Sequence, residues 1–307
     1  MGNGRWDPSD WGAYASAHVA GKSQTQVFTS RSLKDAYDPK LVARRESRDS
    51  ADNPFSTPII LASDVTGSMG MIANTLMQDG LNTLATAIYD RKPVTDPHIM
   101  AMAIGDAQTD RAPLQVTQFE ADIRIADQMK DLWIEGGGGG NGGESYALAH
   151  LFAAHKISAD GFEKRGRKGY LFTIGDEPVH QTITAAQARN VMGLALEGDI
   201  SAAQAVALAS RSWEVFHIVL SNEGDARHNL DGVLASWHKV LPERTIQLAD
   251  VGALAETVVS IIQVHEGANA AQVAKSWSGS TAVAVAGALG SLPSRVAVGA
   301  KGLRRLA

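Results

Sequence analysis

This sequence predicts a doubly wound α/β fold, a mainly parallel six-stranded sheet with helices on both faces. Three observations lead there. Six short apolar runs alternate with helix-length segments from Thr57 onward, which implies crossover connections between parallel strands. The first apolar run opens directly into an acid and two hydroxyls, and open α/β sheets hold their ligands at such strand ends. Hydrophobic residues make up 44% of the 307 positions, enough to bury a sizeable core.

Residues 1–56 come first and are polar, with Trp6, Trp11, Tyr14 and Tyr37 scattered among Asp, Ser and Arg. No helical or strand period persists there. The expectation is an extended arm packed through its aromatics, with a disordered tail as the competing reading. A domain over 57–265 follows, with strands expected at Ile59–Ala62, Ile99–Ile104, Ala121–Ile125, Gly169–Ile174, Val215–Leu220 and Thr245–Leu248. The helices expected between and after them span Met71–Tyr89, Ile125–Trp133, Ser145–His155, Ala185–Leu196, Ala202–Ser210, Leu230–Val240 and Leu254–Val264. Residues 266–307 are rich in Ala, Gly and Val; they predict one more helix at Thr281–Leu289 and a basic tail ending in Lys301, Arg304 and Arg305.

The segment Asp64-Val65-Thr66-Gly67-Ser68 places a carboxylate and two hydroxyls at alternate positions just after the first strand. One short loop thus offers three hard oxygens, the donors that Mg2+ prefers, with Mn2+ or Ca2+ as substitutes. Thr66 or Ser68 could equally cap the next helix, and the two roles are compatible. A glycine-rich loop at Gly136–Ser145 contains Asn141, Glu144 and Ser145, and the fourth strand runs into Gly175-Asp176-Glu177-Pro178. The loop lacks the Lys-Ser/Thr pair of a phosphate loop, so a nucleotide role is not expected. Asp176 could also be an ordinary turn residue bonding its own backbone. Asp106, after the second strand, faces the same edge and is a candidate to support the site from behind or to be a solvated turn. Glu177 and His180 lie nearby without an assigned role.

The D-x-T-x-S pattern of Asp64, Thr66 and Ser68, followed in order by the glycine-rich loop and by Asp176, resembles the metal-ion-dependent adhesion site of von Willebrand factor A (VWA) domains. The resemblance covers roughly residues 57–265. It implies the same doubly wound fold, and a Mg2+ held by Asp64, Thr66, Ser68 and Asp176 with one coordination position left for an acidic residue of a protein partner. The family's second loop usually supplies a threonine. No threonine stands here, and Asn141, Glu144 or Ser145 is expected to replace it. A glutamate would raise cation affinity and weaken the pull on an acidic partner.

The bulk composition narrows the function. A net charge of −5 and a pI near 6.0 argue against general nucleic-acid binding. The absence of cysteine removes thiolate zinc and disulfides, and the nine dispersed histidines show no H-x-x-x-H pair. His150 and His155 are expected on a helix surface or in packing, and Trp133, Trp213 and Trp237 in the core. No run reaches the ~20 apolar residues of a membrane span, and the first residues lack a secretory signal's apolar core, so a cytoplasmic protein is expected.

The leading expectation is a metal-dependent protein-binding adaptor or scaffold, not an enzyme; intracellular proteins resembling the family often serve ATP-driven remodelling machines. One alternative is a metal-assisted phosphohydrolase using Asp64 and Asp176, although no Lys or Arg is positioned beside the loop. Another is the structural subunit of a homo-oligomeric assembly that exchanges its terminal segments.

Overall fold

The computed structural model describes residues 4–136 and 141–292, with the side chain of Ser68 excepted. Six strands form the central sheet: β1 (Thr57–Asp64), β2 (Pro97–Ile104), β3 (Leu114–Val116), β4 (Gly169–Gly175), β5 (Trp213–Leu220) and β6 (Thr245–Leu248). Their spatial order is β6-β5-β4-β1-β2-β3, and every pair is parallel except β2 with β3. The chain steps outward from β1 through β2 to β3, then returns to the other side of β1 to begin β4. The strand order therefore reverses between β1 and β4, and the crevice at their carboxyl ends is where doubly wound sheets bind ligands.

β1 is buried along its whole length, as a strand covered on both faces must be. Its side chains alternate between two cores: Ile59 and Leu61 join one, Ile60 and Ala62 the other. The first core is closed by the helices Leu81–Arg91, Leu254–His265 and Gly279–Gly290, the second by Ala147–His155, Ala202–Ala209 and Ala226–His238. Trp213 and Trp237 are fully buried in the second core, and Trp133 is buried as well.

The structure departs from the sequence reading in several places. The third strand is Leu114–Val116, antiparallel to β2, and not Ala121–Ile125. Asp122 Oδ1 accepts from the amide of Arg124 at 3.1 Å and starts the helix Arg124–Lys130, which removes Ile123 and Ile125 from any strand. The residues at 114–116 are held instead by Gln115, which exchanges two hydrogen bonds with the backbone of Trp133 at 2.8 and 2.9 Å.

The N-terminal arm is not featureless. Asp7 caps a helix, Pro8–His18, by accepting from the amide of Ser9, and Pro8 stands at its first turn. Trp6, Trp11, Tyr14 and Tyr37 are all buried in the first core. Further along, Arg45–Ser47 pairs in parallel with Ile157–Ala159.

The helix expected over Met71–Tyr89 is divided into Gly70–Thr75, a π turn at Leu76–Gly80 and Leu81–Arg91. Gly279–Gly290 carries the expected last helix, and Ser291 Oγ accepts from the amide of Gln247 on the edge strand β6. The basic tail with Lys301, Arg304 and Arg305 lies outside the described residues. Among the described residues no helix is long and apolar enough to cross a membrane.

A candidate cation site at the strand switch point

β1 ends in Asp64, which is fully buried. Its Oδ1 accepts from the amide of Thr66 at 2.8 Å and from the Thr66 hydroxyl at 2.7 Å, while Oδ2 accepts from the Tyr146 hydroxyl at 3.0 Å. The chain then enters a 3₁₀ turn, Gly67–Met69, leading into the helix at Gly70. The backbone of Ser68 lies in that turn; its side chain lies outside the described residues.

Thr66 also approaches the second loop, with Oγ1 3.1 Å from Glu144 Oε1. A threonine hydroxyl has one hydrogen, and the shorter contact with Asp64 takes it. That leaves none for Glu144 Oε1, although the two oxygens lie within hydrogen-bond distance. Burial first, then the Asp64 and Glu177 carboxylates, push the Glu144 carboxyl up to about 9, which favours its protonated form at neutral pH. Its Oε2 is buried without a hydrogen-bond partner. The backbone fixes Glu144 in place: its amide donates to Pro178 O at 2.9 Å, and its carbonyl accepts from the His180 amide at 3.1 Å.

Asp176 follows β4 and is 2% exposed. Its Oδ2 accepts from the amide of Asp225 at 2.7 Å, and its Oδ1 is buried without a partner. Gly224 makes this approach possible, because a Cβ there would collide with the Asp176 carboxylate. Burial, followed by the charges of Asp225 and Glu223, raises the Asp176 carboxyl above its ordinary range. Asp64 is pushed up to about 7 by burial and, more weakly, by Asp176, against the donors of Thr66 and Tyr146. Glu177, half-buried beside Asp176, is also pushed up to about 7 by burial and by that neighbour.

The second loop is divided between two carboxylates. Glu144 alone of its three candidates meets Thr66. Ser145 donates to Asp106 Oδ1 at 2.9 Å, and Asn141 Nδ2 donates to Asp106 Oδ2. Asp106 accepts also from the Gln108 amide at 3.1 Å and lies 3.2 Å from His180 Nε2. Burial alone would raise the Asp106 carboxyl; the donors His180, Asn141, Gln108 and Ser145 outweigh it and hold it at about 2. Asp106 thus ties the second loop to the loop after β2, and Asn141 and Ser145 serve that tie.

Two residues here carried no functional reading in the sequence. Tyr146 fell inside the helix expected over Ser145–His155, and its only signal was its place directly after the polar loop. His180 stood without a role and is now a partner of Asp106. Among the described residues, no three acidic or histidine side chains gather closely enough to hold a metal by themselves. A cation here would need hydroxyl and water oxygens beside the acids, and Thr66 provides the first.

No protein-family model matches this chain, and no curated protein matches it. Solved structures similar to it include two crystal structures of the pilus adhesin SpaC from Lactobacillus rhamnosus GG. The open conformation aligns at 10% identity with a TM-score of 0.44, covering 71% of this chain and 31% of the adhesin chain. The other aligns at 9% identity with a TM-score of 0.47, covering 72% and 32%. The chain therefore spans about a third of the length of those structures.

Proposed function

We propose that this chain is a cation-dependent protein-binding module of the VWA type, with Asp64, Thr66, Ser68, Glu144 and Asp176 as the residues that serve the ion. The observation that carries the proposal is a shortage of hydrogens at the switch point. Glu144 Oε2 and Asp176 Oδ1 are buried carboxyl oxygens without donors, and Thr66 Oγ1 has no hydrogen left for Glu144. Buried unpaired oxygens are costly, and a divalent cation satisfies several at once.

The donor set fits Mg2+, and Mn2+ or Ca2+ in its place, because every candidate ligand is a hard oxygen. Asp64 is oriented by Thr66 and Tyr146 to serve as the anchor. Thr66 gives its hydrogen to Asp64, which leaves its lone pairs for the cation. Glu144 takes the part of the second-loop hydroxyl in the family that the pattern resembles. Asp176 would act through a water or directly by Oδ1. A bound ion supplies a coordination position for an oxygen of a protein partner, and an acidic side chain is the group the resemblance favours.

The test is thermal unfolding with Mg2+, without it and with chelator. A ligand binding only the folded state at a hundredfold excess over its Kd adds about 2.7 kcal/mol. The wild-type melting temperature should rise with Mg2+, and Asp64→Ala should not respond. An unchanged wild-type melting temperature at millimolar Mg2+, Mn2+ and Ca2+ would refute the proposal. Capture of a partner from lysate that survives chelation would refute the cation dependence of binding.

A further inference from the structure

Tyr146 stands where the second loop becomes the helix Ala147–His155, and it is fully buried. A buried tyrosine hydroxyl needs a hydrogen-bond partner, and any backbone carbonyl would serve. The partner here is Asp64 Oδ2 at 3.0 Å, the carboxylate at the head of the candidate site.

The surroundings leave the phenol little freedom. Its ring stands edge-on to His217 at 5.3 Å and to Trp237 at 5.2 Å, and those two rings stack on each other. His217 is held by a hydrogen bond of 2.9 Å between its Nδ1 and the Thr173 hydroxyl of β4, and Trp237 Nε1 donates to Glu177 O at 3.1 Å. The last residue of β4 is Gly175, and a Cβ there would collide with the Tyr146 hydroxyl. The strand is bare at the one point where the phenol passes toward Asp64. Three elements, β4, β5 and the helix Ala226–His238, therefore brace a hydroxyl whose hydrogen bond goes to the site.

We infer that Tyr146 is a positioning residue for the cation site, fixing Asp64 at Oδ2 while Thr66 fixes it at Oδ1. This inference rests on the cation-binding proposal above. A carboxylate at a strand end can rotate about two side-chain bonds; hydrogen bonds to both oxygens leave one orientation. Groups that orient a metal ligand from behind change affinity typically 10–100-fold when removed.

The experiment uses the full chain and Mn2+ as the probe. Mn2+ affinity and the electron paramagnetic resonance spectrum of the bound ion are measured for wild type, Tyr146→Phe and Asp64→Ala, with the metal-free melting temperature of each. Tyr146→Phe should keep a cooperative metal-free transition, bind Mn2+ about tenfold or more weakly, and alter the spectrum at saturation because Asp64 can turn. Wild-type affinity with a wild-type spectrum in Tyr146→Phe would overturn the inference while leaving the cation proposal standing. Failure of the wild type itself to bind Mn2+ would overturn both. Should Tyr146→Phe fail to fold, Gly175→Ala decides the matter. Its methyl group forces the phenol away from Asp64 without removing the tyrosine, and wild-type Mn2+ binding there would equally overturn the inference.

Discussion

The Thr66 hydroxyl has one hydrogen and two carboxyl groups within 3.1 Å, so the proton on Glu144 is as much a part of the site as any side chain. Glu144 sits at about 9 and Asp64 at about 7, and a cation can take their oxygens only by displacing those protons. Mg2+ binding at pH 7.5 should release protons, and titration calorimetry in buffers of different ionisation enthalpy measures them. Glu144→Gln should abolish most of the release and weaken Mg2+ binding, since a neutral amide replaces a carboxylate; an unchanged release would show that Glu144 does not meet the ion. The candidate residues of the first loop were legible because they are adjacent in sequence. Among Asn141, Glu144 and Ser145 the choice was not legible, because all three are polar and close together. The structure separates them by assigning Asn141 and Ser145 to Asp106.

At the scale of elements, what could be read was what neighbours in sequence control. Thr184 is an example: its hydroxyl accepts from the Gln187 amide while the Gln187 side chain accepts from the Thr184 amide, and the helix Ala185–Met192 begins there. Gly193, in the left-handed conformation at φ 65°, ends the helix short of the expected Leu196. Thr184→Ala should lower stability by about 1 kcal/mol, read from denaturant midpoints at unchanged slope. A cost near zero would mean that the packing of Ala188 and Met192 alone sets this helix. The third strand escaped the sequence reading for a complementary reason. Three residues are too few to display a period, and Leu114–Val116 is held by Gln115 reaching Trp133, a contact across 18 positions. The arm helix was hidden because Trp11 and Tyr14 are its only buried residues, too few to show a helical period.

For the whole molecule, the two-sided core leaves histidines where charge is not tolerated. His150 is fully buried with neither ring nitrogen hydrogen-bonded, and burial holds it down to about 3; His98 is held at about 4, and His217 well below its usual value, for the same first reason. The unfolded chain protonates all three near pH 6.5 while the folded chain does not, so their contribution falls as pH drops below 6.5. Glu144 has the opposite sign: its raised carboxyl stabilises the folded state below its unfolded value of 4.5 and loses that contribution as pH rises toward about 9. Glu144, with Asp64 and Glu177 raised to about 7, offsets part of the histidine loss between pH 4.5 and 6.5, and that loss is unopposed by Glu144 below the window. His150→Phe should therefore flatten the loss of stability between pH 6 and 4 by about 1.4 kcal/mol per pH unit, measured by denaturant unfolding across that range. Parallel curves for the two proteins would remove His150 from the account.

The sequence by itself determined five of the six sheet strands, most of the helices between them, and that Asp64, Thr66, Ser68 and Asp176 belong to strand ends on one edge. Strand periods, caps and turn residues act over a few positions, so the information is local. Only the tertiary structure decided that Glu144 meets Thr66 across 78 positions and that Tyr146 meets Asp64 across 82. Those meetings depend on β4 lying beside β1, and on burial that strips water from the acids and lets their protons and missing partners matter.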